Sequence, residues 1–184
     1  MDYSISIEGT PNPNALKFIL NVPVKTSGNT TYSNAQECAM NLLAQKLFEI
    51  SNIKNLYFFE NYITVSQDGS ADWEDLQQQI EKTILGNIAD HNPDFEVEAP
   101  VESSTSSSSG PEIAKIDAVL NDTIRPFLQK DGGDVQVLGL EENTITISYQ
   151  GACGSCPGAR MGTLQAIQNI LQEQYKPDVI VEMA

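Results

Sequence analysis

The chain has 184 residues, 40% of them apolar, and carries 10 Lys and Arg against 25 Asp and Glu, a net charge of −15. That balance excludes a nucleic-acid backbone or an anionic membrane surface as partner, because both need a basic face. It leaves room for a basic partner protein, and without a run of 18 apolar residues no transmembrane helix is expected.

The first strand is expected at Tyr3, Ile5 and Ile7, which alternate with polar residues. Thr10-Pro-Asn-Pro-Asn14 reads as a turn, and Ala15 to Leu20 as a second strand. Ser33 can cap a helix through Leu47–Glu49, with Cys38, Leu42 and Phe48 near its apolar stripe. Leu56–Phe59 and Tyr62–Val65 read as strands joined by a tight turn at Glu60-Asn61. Asp72 caps a helix with the stripe Trp73, Leu76, Ile80, Ile84 and Ile88. The order ββαββα implies a helix-covered sheet.

Residues 98–110, Glu98-Ala-Pro-Val-Glu-Ser-Ser-Thr-Ser-Ser-Ser-Ser-Gly110, have no periodicity and read as a flexible linker. The expected division is therefore a first domain over 1–97 and a second over 111–184. The second opens with a helix from Glu112 to about Lys130, with Ile113, Ile116, Leu120, Ile124 and Phe127 inward and Pro126 a point of kinking or early end. Asp131-Gly-Gly-Asp134 is a turn, and Val135–Leu140 and Thr144–Tyr149 form a hairpin around Glu141-Glu-Asn143. A helix from Ala159 to about Glu173, with Met161, Leu164, Ile167 and Leu171 inward, runs on to a final strand at Val179–Met183. The order αββαβ makes the whole chain α+β: two small domains, each a helix-covered β-sheet.

The start Met1-Asp2-Tyr3-Ser4-Ile5 shows neither the basic and apolar regions of a secretory signal nor the Arg-rich character of a transit segment, so a cytoplasmic protein is expected. In that setting three cysteines point to metal or thiol chemistry rather than disulfides.

Cys153 and Cys156 lie in Gly151-Ala-Cys-Gly-Ser-Cys-Pro-Gly-Ala159, between a strand and a helix. A thiolate at a helix start is favoured by unpaired backbone N–H groups and the positive end of the dipole. Cys-x-x-Cys serves dithiol–disulfide exchange, half of a zinc site, or half of an iron–sulfur site completed by a second subunit. An inert turn with two buried thiols is the bland reading. Thioredoxin-like proteins carry the pair early, after a strand of a βαβ unit; here it follows an antiparallel hairpin and 28 residues remain after Cys156. Four-ligand zinc needs another Cys pair or histidines. The other candidates, Cys38 and His91, form no second knuckle. What survives is a two-thiolate half site shared by two chains around a cofactor, with a thiol–disulfide oxidoreductase as the alternative. Gly151, Gly154 and Gly158 would let backbone N–H groups face sulfur, and Arg160 would offset cluster charge.

Several separated motifs recur in family order. Arg125-Pro126, Asp131-Gly-Gly-Asp-Val135, Gly151-Ala-Cys-Gly-Ser-Cys-Pro157 and Thr163-Leu164 resemble the C-terminal domain of NifU-like (Nfu-type) iron–sulfur scaffold proteins. Thr10-Pro-Asn-Pro-Asn14, Leu16-Lys-Phe18, Leu47-Phe48, Tyr62-Ile-Thr-Val65 and Asp72-Trp73 are similar to the Nfu N-terminal domain. The resemblance implies a scaffold or carrier, not an enzyme, that binds a [4Fe-4S] cluster, or a [2Fe-2S] form, through Cys153 and Cys156 of two subunits. It implies a homodimer bridged by the cluster, upstream assembly proteins as donors and apo iron–sulfur proteins as acceptors. One departure is Gly158-Ala-Arg-Met-Gly162, where Ser and Thr are expected; the two ligands are intact.

Other residues take plainer expectations. Asp131–Asp134 is a helix stop and strand entry, Cys38 a small core side chain and His91 a solvated residue. Trp73 is core, and Asn14–Phe18 a structural turn and strand.

Overall fold

In the computed structural model the described residues are 2–95, 110–154 and 157–184, the side chains of 157–160 excepted. The chain divides into two compact units, Met1–Pro100 and Val101–Ala184. Most of the expected linker, residues 98–109, lies outside the described residues.

The first unit is one antiparallel sheet of five strands in the order β1-β2-β5-β4-β3. These are β1 (Ile5–Gly9), β2 (Ala15–Leu20), β3 (Asn29–Tyr32), β4 (Ile53–Phe59) and β5 (Tyr62–Gln67). Phe18, Leu20, Leu56, Phe58, Ile63 and Val65 line one face and meet the inward stripes of α1 (Leu42–Phe48) and α2 (Trp73–Asn87). The Asp72 carboxylate accepts from the Glu74 N–H as the cap of α2, and Leu76, Ile80 and Ile84 are buried as the spacing requires. The Trp73 indole packs against this core and donates to the Pro13 carbonyl at 2.9 Å, so the Pro-Asn turn is a structural dock for α2.

Two expected elements differ in this unit. Strand β3 was not expected, because Asn29-Thr-Thr-Tyr32 is short and polar; it forms by pairing along β4 with Thr30 and Tyr32 turned inward. The single helix expected from Ser33 is a short 3-10 turn, Ala35–Cys38, followed by α1. The buried Asn41 explains the break: its side chain accepts from the Ala44 N–H at 3.1 Å and caps a fresh helix. The restart turns Leu43 and Leu47 inward and leaves Leu42, expected in the stripe, 55% exposed.

The second unit holds α3 (Pro111–Thr123), α4 (Arg125–Lys130), β6 (Gly133–Glu141), β7 (Thr144–Gly151), α5 (Pro157–Gln174) and β8 (Ile180–Met183). Its sheet has the order β6-β7-β8. β6 and β7 are an antiparallel hairpin, while β8 lies parallel to β7, so α5 is the crossover of a β7-α5-β8 unit. Val135, Val137, Ile145, Ile147 and Val181 of the sheet pack on Ile113, Ile116, Leu120, Ile167 and Leu171 of the helices.

The long helix expected over Glu112–Lys130 is two helices that part at Ile124, because Pro126 has no N–H to donate back along a continuous helix. The break brings Leu128 inward and turns Phe127, expected in the stripe, outward at 67% exposure. Met161 also departs from its expected inward place and is 70% exposed. Full burial on α5 begins only at Ile167; the described side chains before it are half-buried or exposed.

Candidate functional site

The corner between β7 and α5 is built by glycines. Gly151 ends β7 with φ of 63°, a conformation that favours glycine. The Ala152 N–H then donates to the Gly132 carbonyl at 3.1 Å, and the Gly154 N–H to the Gly151 carbonyl at 3.1 Å. This folds the loop back over the start of β6 and places Cys153 half-exposed, with its body packed on the unit's core. Gly133 lies directly beneath it. A Cβ at Gly133 would stand 2.5 Å from Cys153 Sγ, 2.7 Å from the Gln150 carbonyl oxygen and 3.0 Å from Cys153 N. Only glycine leaves room for the sulfur there.

Behind Gly133 the entry to β6 is pinned. Asp134 is buried and accepts from the Val135 N–H at 2.7 Å and from Gln129 Nε2 at 3.2 Å. Arg125 Nε lies 3.4 Å from Asp134 Oδ1. The same guanidinium donates to the Val135 carbonyl, to Asn121 Oδ1 at 2.7 Å and to Asp117 Oδ1 at 2.7 Å. One side chain thus joins α3, α4 and β6. The Asp131–Asp134 segment is the turn that was expected, with Gly132 at φ of 80°. Its position against Cys153 was missed, although a second glycine at a strand entry is a recognised sign of close approach by another group.

Of the two expected ligands, Cys153 is placed as described, while Cys156 lies outside the described residues, as does the side chain of Arg160. Cys38 belongs to the other unit, is fully buried and donates to the Asn34 carbonyl at 3.4 Å. Burial, aided by the charge of Glu37, pushes its thiol up to about 12, which makes it a core side chain rather than a thiolate. His91 is not a solvated residue. Its ring packs against Phe58 and Phe95, and Nε2 lies 2.8 Å from the Val24 carbonyl. Among the described residues no three His, Cys, Asp or Glu side chains gather as a metal site.

The parallel β8 corrects one step of the sequence reading. The cysteine loop does stand at a strand-to-helix corner of a βαβ unit, so topology alone does not separate it from thioredoxin-like proteins. The kinship of the chain carries that distinction.

The fold and corner define a class: a two-unit α+β protein with a half-exposed cysteine in the loop between a strand and a crossover helix. Residues 5–91 match the family model for the scaffold protein Nfu/NifU N terminal, and residues 116–182 that for the NifU-like domain. The chain is 35% identical over 176 residues to the human mitochondrial NFU1 iron-sulfur cluster scaffold homolog, covering 95% of this chain and 69% of that protein. A NifU-like protein of Schizosaccharomyces pombe is 32% identical over 95% of this chain and 70% of its own. A mitochondrial NFU1 scaffold homolog of Drosophila erecta is 30% identical over 95% of this chain and 62% of its own. The chain belongs to the Nfu/NifU family of iron–sulfur cluster scaffold proteins.

These relatives also correct the expected cytoplasmic location, because the human and Drosophila proteins that match along nearly the whole chain are named as mitochondrial. An address read by receptors leaves no mark on a domain's core or charge pattern, so the composition of the folded units could not have located the protein.

Proposed function

We propose that this protein is a scaffold or carrier, not an enzyme, that holds a [4Fe-4S] cluster as cargo between two copies of the chain. Cys153 and Cys156 of each copy are the ligands in this reading. The cluster arrives from upstream assembly proteins and leaves for apo iron–sulfur proteins. The observation that carries the proposal is the seat of Cys153: half-exposed, in the loop that leaves β7 ahead of α5, with a glycine beneath its sulfur. Helix-start N–H groups favour the anionic charge of a thiolate-ligated cluster, and a half-open corner lets incoming thiolates displace the ligands one at a time. Two thiolates per chain are half of a four-ligand set, so a second chain supplies the rest. The residues divide functionally at 98–110, with 111–184 as the cluster-binding domain and 1–97 assisting partner recognition or stability.

Anaerobic reconstitution of the full chain with iron and sulfide tests this. Sulfur-to-iron absorption, about two irons per chain and dimerisation should appear together. Cys153→Ser and Cys156→Ser should each abolish all three. About one iron per chain would assign a [2Fe-2S] cargo instead. The second reading, a thiol–disulfide oxidoreductase, draws on the strand-to-helix corner of β7 and α5. It predicts that an iron-free monomer reduces a model disulfide, and that no iron is retained.

A further inference from the structure

Met40 and Leu42 are large, apolar and exposed, at 74% and 55%, while Asn41 between them is buried. The usual preference of these residue types is reversed at all three positions. Asn41 has extended backbone, φ −125° and ψ 92°, and successive side chains of an extended segment point to opposite sides. Placing Asn41 inward therefore turns both neighbours out. The mount beneath them is fixed. The Asn41 N–H donates to the Cys38 carbonyl at 2.8 Å, and its carbonyl accepts from the Gln45 N–H at 3.0 Å. Gln45 Nε2 donates to the Cys38 and Ala39 carbonyls at 2.9 and 3.1 Å. Met40 and Leu42 also line one small cavity of about 100 Å³, together with Asn87, Asp90 and His91 from the end of α2 and the turn after it.

We propose that Met40, Leu42 and the cavity beside them are a docking site for a partner protein, and that they take a segment in which an apolar side chain is flanked by Lys or Arg. This rests on the reading above that residues 1–97 assist partner recognition, and it names the surface and the chemistry. Charge decides the occupant. Residues 1–97 carry five basic and thirteen acidic side chains, net −8. The cavity is lined by the exposed Asp90 and by neither Lys nor Arg. Lys46, one turn along α1 from Leu42, is paired with Glu49 at 2.8 Å. An anionic membrane or a second copy of this unit would bring like charge to the surface. A basic segment brings opposite charge, which steers its approach, and its apolar side chain covers Met40 and Leu42. A pair already held in place loses little freedom on docking. The flexible thioether of Met40 adapts to more than one shape, which suits a carrier that meets several proteins.

The probe is a capped synthetic peptide with two leucines between paired lysines. It has two twins, one with glutamates for the lysines and one with serines for the leucines. Each is titrated into the iron-free full chain, methyl-labelled at Met and Leu, and followed by NMR. The Met40 and Leu42 methyl signals should shift and saturate with the lysine–leucine peptide, and each twin should bind about tenfold more weakly or worse. Met40→Ser/Leu42→Ser should weaken binding about tenfold, with an unchanged Trp73 fluorescence transition because both positions are exposed. Asp90→Asn should weaken it about threefold and flatten its salt dependence. No response at those methyls, equal binding of either twin, or full binding by the serine pair overturns the inference. So does self-association of the chain that shifts the same methyls, which would give this face to a second copy. Because the titration needs no iron, its failure leaves the shared-cluster reading untouched. A wild type that retains no iron overturns that reading, while the peptide result stands.

Discussion

Gly133→Ala puts one methyl group where the structure leaves no space. The added carbon meets Cys153 Sγ at 2.5 Å, the Gln150 carbonyl oxygen at 2.7 Å and Cys153 N at 3.0 Å, against an ordinary separation of about 3.5–4.0 Å. The sulfur would have to retreat by about 1 Å to restore that separation. The carbonyl cannot turn aside, because it belongs to β7, where Gly133 pairs with Gly151 and Asp134 with Gln150. The backbone at Gly133 is not in the left-handed region, so the whole effect is steric. Overpacking of this kind costs about 1–3 kcal/mol, and each kcal/mol lowers the midpoint of a domain this small by about 4–8 °C. The single tryptophan, Trp73, lies in the other unit and reports it separately. The expected result of a thermal scan is an unchanged Trp73 fluorescence transition and a lowered circular-dichroism transition for the second unit, with poorer iron retention. Gly139→Ala is the control: an added carbon there meets nothing within 4 Å, so its effect should stay within about 0.5 kcal/mol. In a Cys153→Ala background the part of the cost due to sulfur should vanish, which a double-mutant cycle measures. If Gly133→Ala melts with Gly139→Ala and holds iron like the wild type, the close-packing account of the corner is wrong.

Arg125→Ala should destabilise the second unit by about 3 kcal/mol, because buried Asp134 loses its cation; urea unfolding of the full chain measures this, and a loss under 1 kcal/mol would contradict it. The His91 imidazole is held below its usual range by burial, partly opposed by its hydrogen bond to the Val24 carbonyl. Its folded pKa is depressed, so the unfolded chain takes up the proton first, and the first unit should lose stability as pH falls through 6.5. The Trp73 transition should follow that curve in the wild type and lose the step in His91→Gln. Hydrogen bonds from Lys115 and Tyr175 hold the Glu112 carboxyl down at about 2. The stability it adds is present above 4.5 and fades as pH falls toward 2, a fade that Glu112→Gln should lack in acid titrations. Burial and the bond to Glu112 push the Tyr175 phenol up to about 12, so its share is lost as pH rises from 10 through 12. Tyr175→Phe should flatten that alkaline limb.

What the amino-acid sequence determined by itself was local. Alternation at Ile5 and Ile7 and the stripe Leu76, Ile80 and Ile84 define their elements, since burial of one face at a fixed period is written into neighbouring residues. The same holds for the Asp72 cap, the Gly-rich turns and the spacing of Cys153 and Cys156. Folding in three dimensions decided whatever depends on residues far apart in the chain. Polar Asn29–Tyr32 becomes a strand only because β4 offers an edge. Phe127 and Met161 carry the period of buried residues, yet stand outside, because which turn of a helix is covered depends on what packs over it and not on the helix. The space beneath Cys153 is the clearest case. Gly133 and Cys153 are twenty positions apart, and the β6–β7 register with the folded-back loop brings one sulfur to the one spot where a side chain would collide with it.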